Sequence, residues 1–246
     1  MTEITLDVCC GEGGGTRGLV QAGHHVVGVD INPACREGYL RSGAAEFICA
    51  DALDVLADLG FVRQFTFITS HWPCQGYSQM TRCRPEIALK YPRLIGPARP
   101  LLDATGLPYV IENVEGARAH MIRPVTVCMW MFGRPGYRHR LFEAGGGLVL
   151  KAPEPPPAQS GRRDLVPRVN RECGWPHPVP VARAGHWVPG KFVSVAGHER
   201  KAAVYSVMQI DWMSSRDAVK EAIPPYVGAW EAEQVAAWRT EQIAAA

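Results

Sequence analysis

One cysteine of this chain sits between a proline and a glycine, Cys74 in HWPCQGYS, and its setting suits chemistry. FTFITS before it reads as a buried strand; Pro73 fixes the backbone ahead of the thiol and Gly76 frees it afterwards. A thiol offered at a strand end, not inside the strand, suits a nucleophile, and thiolate chemistry asks for access and a lowered pKa. LPYVIENVEG closes a second strand with Glu112 and Asn113. A carboxyl group held at a buried strand end can be raised in pKa and used as a proton donor. In GYRHRLFE, Arg138 and Arg140 alternate along an expected strand, which puts both on one face to orient a carboxylate or phosphate.

A second constellation lies near the start. DVCCGEGGGTRG reads as a strand, a glycine-rich turn and a helix start, with five glycines in the eight positions from Gly11 to Gly18. That is more than a tight turn needs, so a close approach of backbone to a ligand is expected. Gly13, Gly15 and Gly18 also fit the dinucleotide fingerprint, so the turn alone does not separate a nicotinamide cofactor from S-adenosylmethionine. Asp30 closes the next strand, where a carboxylate typically grips ribose hydroxyls. Asp51, in FICADALDV, ends a third; it suits either an acceptor for an adenine amino group or a helix cap.

These residues need a scaffold, and the first 143 residues supply an alternation that builds one. EITLDVCC, HHVVGVD, EFICAD, QFTFITS and LPYVIENV read as strands; TRGLVQAG, NPACREGYLRSG and LLDATG read as helices or helix ends. The pattern predicts an α/β fold with a mostly parallel sheet, whose ligands gather at the carboxyl ends of the strands. From Gly145 to about Pro189 the sequence turns dense in Pro, Gly and Arg without a sustained period. This reads as a small irregular domain or insertion, positive at Arg162, Arg163, Arg168, Arg171 and Arg183. The interleaved Trp175, His177, His186 and Trp187 favour a contact surface. In PPYVGAWEAEQVAAWRTEQI, Val227, Trp230, Val235 and Trp238 fall near one face of a helix expected to return onto the first domain. The expected division is 1–143, 144–195 and 196–246.

Composition narrows the class. The 246 residues are 47% hydrophobic and 20% charged with a net charge of +2, so any basic footprint for nucleic acid must be local. There is no apolar run of 18 residues and no charged-then-apolar leader, and a strand begins almost at once; a cytoplasmic protein without a membrane segment is expected. Eight cysteines without a C-x-x-C pair predict neither a disulfide scaffold nor a bound metal, and most should be small buried hydrophobes.

Taken in order, the glycine turn after DVCCG, Pro-Cys-Gln at 73–75, Glu-Asn-Val at 112–114 and the Arg-x-Arg of Arg138 and Arg140 resemble the signature motifs of the DNA (cytosine-5)-methyltransferase family. The resemblance spans about 4–143, is faint to about 217, and returns partially in EAIPPYVGAW. It implies a Rossmann-like S-adenosylmethionine-dependent methyltransferase fold with a small irregular target-recognition segment. By the same resemblance the Cys74 thiolate adds to C6 of cytosine while Glu112 protonates or hydrogen-bonds N3. C5 then takes the methyl group, and loss of the C5 proton expels the cysteine. Arg140 would hold the base and Arg138 would help fix Glu112 or the loop. The base would be flipped out of DNA to be reached. Asp7, Cys9, Gly11, Gly13, Asp30, Ile31, Asp51, Ala52 and Pro73 would line the cofactor site. Gln75, Ser78, Arg162 and Arg163 would face DNA, Ser78 at a backbone phosphate. A monomer is expected, in a bacterial or phage-infected cell, and a compact chain of this kind would suit a bacteriophage or mobile element.

Several positions depart from the family pattern. Cys9 stands where a phenylalanine is usual, Gly136 replaces a glutamine, Glu115 a proline and Glu221 an asparagine. The short recognition region implies a short or relaxed sequence preference and binding weighted towards phosphates. A cytosine-5 methyltransferase acting on RNA, or one adding a modified one-carbon group, shares the first motifs. A catalytically silent DNA-binding relative fits poorly with intact Cys74, Glu112 and Arg140. A nicotinamide-dependent oxidoreductase explains neither Pro-Cys-Gln nor Glu-Asn-Val.

Overall fold

Neighbouring apolar residues in the strands serve opposite faces of one sheet, because side chains alternate along a strand. In the computed structural model, which describes residues 2–78, 90–134, 136–154, 167–169, 176–178, 193–195 and 201–245, Val26, Phe67 and Val110 point to one face and Val27, Ile68 and Ile111 to the other. The strands are β1 (Ile4–Val8), β2 (His25–Asp30), β3 (Glu46–Cys49), β4 (Phe67–His71), β5 (Tyr109–Asn113), β6 (Val125–Cys128), β7 (Gly136–Tyr137) and β8 (His139–Gly145). All but β7 join a seven-stranded sheet in the order β3-β2-β1-β4-β5-β8-β6, and only β8 runs against its neighbours. The mostly parallel α/β sheet read from the sequence is therefore what forms.

Helices cover both faces, as a doubly buried parallel sheet requires. On one side α3 (Ala52–Ala57) and α5 (Ile95–Thr105) bring Leu56, Ile95, Ala98 and Leu102 against Leu6, Val8, Ile68 and Ile111, with the short α4 (Leu59–Val62) adding Val62. On the other, α1 (Gly14–Gln21) and the long C-terminal α8 (Pro225–Ala245) bring Leu19, Val227, Trp230 and Val235 against Val26, Phe67, Val110 and Phe142. Val227, Trp230 and Val235 are buried, so the expected face of α8 does return onto the sheet. The remaining helices are α2 (Arg36–Arg41), α6 (Lys201–Met208) and α7 (Arg216–Glu221); α6 and α7 share an apolar cluster around Val204, Met208 and Val219.

Three expectations change. The glycine run serves packing as well as the cavity: a Cβ on Gly18 would overlap the Pro225 carbonyl, and one on Gly228 would overlap the Gly15 carbonyl. These glycines let α1 and α8 touch backbone to backbone; Gly11 and Gly13, at φ 52° and 74°, are the ones the turn itself needs. GYRHRLFE is not one strand, because β7 leaves the main sheet to pair with the short Val193–Ser194, and Arg138 falls at the break before β8. The irregular segment starts inside the core, since Leu148 and Leu150 pack in the cluster that holds Trp230. Arg162 and Arg163 lie outside the described residues, as do Arg171, Trp175, Arg183, His186 and Trp187.

Candidate active site

In this sheet the strand order reverses between β1 and β4, and crevices at such a switch point are where open α/β sheets bind ligands. The turn after β1 and the loop after β4 leave the sheet side by side and wall a cavity of about 540 Å³. It is lined by Asp7, Cys9, Gly11, Gly13, Asp30, Pro73, Cys74, Gln75, Glu112 and Arg140, which the sequence had marked at scattered positions. Ile31, Asp51 and Ala52 are not among its walls. Ile31 is 71% exposed, next in sequence to the cavity's Asp30, and Asp51 caps α3 by accepting from Leu53 N at 2.8 Å. Ser78 donates its backbone N–H to Cys74 O at 3.0 Å and so belongs to the turn that carries the thiol.

The glycine turn is held by its acids. Asp30 accepts from Gly11 N and Asn32 N, both at 2.9 Å, so one carboxylate ties β2 to the turn after β1. Asp7 is buried under α1, accepting from the Thr16 hydroxyl and, at 3.4 Å, from Tyr39. Cys9 takes a left-handed φ of 56°, and burial pushes its thiol well up, as it does for Cys10.

The loop after β4 is fixed from below. Asn113 donates to Trp72 O at 2.9 Å and the Trp72 indole to Ser70 Oγ at 3.1 Å, so the buried Trp72 is held fast and Cys74 is set in the cavity wall. The thiol is half-buried. Burial pushes its pKa up and Arg140 pulls it down, against Glu112 and Glu221; the net direction is upward, not the lowered value that nucleophilicity suggested.

Glu112 also departs from expectation. It is 6% exposed, yet its carboxyl is held below the usual range. Burial alone would raise it; His71 and Arg140 outweigh that. Arg140 Nε lies 2.9 Å from Oε1 and His71 Nδ1 3.5 Å from Oε2, so the carboxylate is gripped by two cations. Arg138 adds a weaker electrostatic pull on Glu112, and its hydrogen bonds go elsewhere. It donates to the carbonyls of Glu221, at 2.9 Å, and Ala222, tying the C-terminal segment to the end of β7.

Sequence reasoning missed the residue at the centre of this cluster. His71 Nε2 lies 3.6 Å from Asp7 Oδ1 and 3.4 Å from Thr69 Oγ1, and the Thr69 hydroxyl donates to the buried Glu231 at 2.8 Å. Although burial opposes its charge, Glu112, Asp7 and Glu231 together raise it to about 9. The available signal was a lone imidazole closing a buried strand three residues before Cys74. Also missed were Glu12, Met213, Ser214, Ser215 and Asp217, which with Glu221 bring the C-terminal segment into the cavity wall. Glu12 accepts from Ser214 N at 2.7 Å and from its hydroxyl, and the Trp212 indole donates to Glu12 O at 3.0 Å. No periodicity announces such contacts.

Among the described residues no group of three or more His, Cys, Asp or Glu could hold a metal ion, and no helix is long and apolar enough to cross a membrane.

No protein-family model matches the chain. It is 27% identical over 178 residues to the type II methylase M.HgiDII of Herpetosiphon aurantiacus, covering 62% of this chain. The aligned part spans about 50% of that relative's length. Three solved structures share the fold over nearly the whole chain. A prophage-encoded Escherichia coli chain described as a DNA modification methyltransferase aligns with TM-score 0.60 at 15% identity, covering 97% of this chain and 100% of that one. The Entamoeba histolytica methyltransferase EhMeth aligns at 0.54 and 12% identity, covering 95% and 98%. The Dnmt2 methyltransferase of Schizosaccharomyces pombe aligns at 0.51 and 14%, covering 94% and 97%. The seven-stranded architecture is thus the Rossmann-like methyltransferase fold.

Proposed function

We propose that this chain is a methyltransferase of the cytosine-5 type, which moves a methyl group from S-adenosylmethionine to C5 of a cytosine in DNA through a covalent bond to Cys74. The observation that carries the reading is convergence: Cys74 from the end of β4, Glu112 from β5 and Arg140 from β8 meet in the cavity walled by the glycine turn of β1. An oxidoreductase would use that turn but has no use for a thiol beside a carboxylate–guanidinium pair. The similarity to a type II methylase and the shared methyltransferase fold support the same assignment.

The cavity suits the cofactor. Its wall carries Asp7, Glu12, Asp30, Asp217 and Glu221 in addition to Glu112, an acidic surround for a ligand with sulfonium and ammonium charges. Asp30 would take the ribose hydroxyls and the glycine turn the amino-acid end. Asp51, Ile31 and Ala52, at or just beyond the carboxyl ends of β2 and β3, would serve its adenine side. When bound, S-adenosylmethionine supplies an electrophilic methyl group at its sulfonium.

The chain's own residues prepare the acceptor. The Cys74 thiolate adds to C6, the C5=C6 pair moves to C4=C5, and the C4=N3 pair moves onto N3, which takes a proton from the Glu112 side. C5 is thereby made nucleophilic. Arg140 holds Glu112 in place and favours the thiolate. Because Cys74 is half-buried in the cavity wall, the cytosine must leave the duplex stack to reach it. Gln75 and Ser78 stand on the turn where DNA would approach.

DNA containing 5-fluorocytosine tests the reading, since fluorine at C5 prevents the final elimination. With S-adenosylmethionine, the wild-type protein should give an adduct that survives denaturation, and Cys74→Ser should give none. Equal behaviour of the two would falsify the mechanism. Parallel 5-fluorocytosine RNA decides the polymer: an adduct on RNA alone would move the assignment to RNA.

A further inference from the structure

The site contains a contradiction that its geometry resolves. Cytosine N3 must receive a proton, yet Glu112, the group placed to give it, is a carboxylate between two cations. Arg140 cannot supply the proton, because a guanidinium does not deprotonate in proteins. The other cation can.

Resting on the function proposed above, we propose that His71 is the proton reservoir of Glu112: its Nδ1 proton recharges the carboxylate as N3 is protonated, and returns when N3 is released. His71 and Glu112 are register partners on the adjacent strands β4 and β5, so the sheet itself sets their separation. One strand further, Asp7 faces the opposite ring nitrogen at 3.6 Å. At that ion-pair separation, without a hydrogen bond, a buried carboxylate stabilises the charged form of the imidazole electrostatically. Asp7 is itself immobilised by Thr16 and Tyr39, and Thr69 bridges the ring to Glu231. The charged and titratable groups around the ring are therefore Asp7 from β1, Glu112 from β5 with Arg140 from β8 behind it, and Glu231 from α8.

The step balances. As the sulfur–C6 bond forms and the electron pair reaches N3, the Nδ1–H bond breaks, a carboxyl O–H forms at Oε2, and that proton passes to N3. The ring is left neutral, retaining Nε2–H towards Asp7. After C5 has accepted its methyl group, the N3–H pair rebuilds C4=N3 and the proton returns through Glu112 to Nδ1. The C5 proton then leaves to solvent, its pair rebuilds C5=C6, and the cysteine departs as thiolate. His71 contacts no substrate atom in this scheme; it acts through Glu112 and is a positioning residue with a transferable proton. A raised imidazole, charged up to about 9, keeps the reservoir full at neutral pH.

Two measurements test this. Single-turnover methyl transfer by the wild type should pass through a maximum with pH: the rising limb reports Cys74 ionisation and the falling limb loss of the imidazolium. His71→Gln should be slower on the order of 100-fold, should keep its affinity for S-adenosylhomocysteine within about 2-fold, and should lose the falling limb. A variant with wild-type rate and both limbs intact overturns the proposal. Should His71→Gln fail to fold, histidine-labelled wild-type protein decides by NMR: the His71 resonance should titrate near 9, and titration below 7 overturns the proposal. Failure of this inference differs from failure of the cytosine-5 reading. In the first case the wild type still traps 5-fluorocytosine DNA through Cys74; in the second it traps nothing.

Discussion

Arg138 reaches from the end of β7 to the backbone of Glu221, 2.9 Å from its carbonyl oxygen, while the carboxylate of the same Glu221 lines the cavity that holds Cys74. One residue thus anchors the C-terminal segment through its main chain and sets the local potential through its side chain. The two effects can be separated by substitution.

Glu221→Gln leaves the carbonyl in place and removes a negative charge that pushes the Cys74 thiol up. Burial is the larger cause and persists, so the thiol should remain above its ordinary value but by less. The thiolate should form at lower pH, and iodoacetamide alkylation of Cys74 should reach half its limiting rate at lower pH than in the wild type. An unchanged or more alkaline midpoint would show that Glu221 does not act on the thiol.

Gly18→Ala offers a direct contest between two opposed effects. Alanine gains about 1 kcal/mol of helix propensity over glycine. The added Cβ overlaps the Pro225 carbonyl, and backbone cannot yield as a side-chain tip can. Overpacking typically costs about 1–3 kcal/mol, and a clash with backbone sits at the upper end, so a net loss of about 2 kcal/mol is expected in urea unfolding. A variant as stable as the parent would mean that α1 and α8 do not meet at this position.

Glu231 is buried, 1% exposed, and raised to about 7, because burial outweighs His71 and the Thr69 hydroxyl. A group whose pKa rises on folding binds more protons in the folded chain, so its contribution is full below the usual glutamate range and is lost as pH climbs through about 7. Glu231→Gln keeps an acceptor for Thr69 without the charge. Its stability relative to wild type should improve between pH 5 and pH 8 by about 3 kcal/mol, as a midpoint shift in urea at each pH. A constant difference across that range would rule out the raised carboxyl.

The architecture was legible because β1, β2, β4 and β5 are apolar runs ended by polar residues, and buried parallel strands carry that signature. Cys74, Glu112 and Arg140 were legible for the same reason, as polar residues placed where such runs stop or turn. Their electrostatics were not. Whether Glu112 is raised or lowered depends on His71 and Arg140, which lie 41 and 28 positions away in the chain and meet it only through strand pairing. The glycine run misled in the opposite way: a backbone that comes close to a ligand and one that comes close to another helix need the same residue. Gly18 belongs to the second case, which only the position of α8 reveals.

Glu12 and Ser214 are separated by 202 positions, yet their contact closes the cavity wall. A ribosome making this chain completes the glycine turn about two hundred residues before it makes the partner that finishes the pocket. The growing chain can pair its first strands early, but it cannot offer the completed cavity until Ser214 has emerged. Capacity to bind cofactor should therefore appear late and abruptly along the growing chain, long after the first strands have found one another.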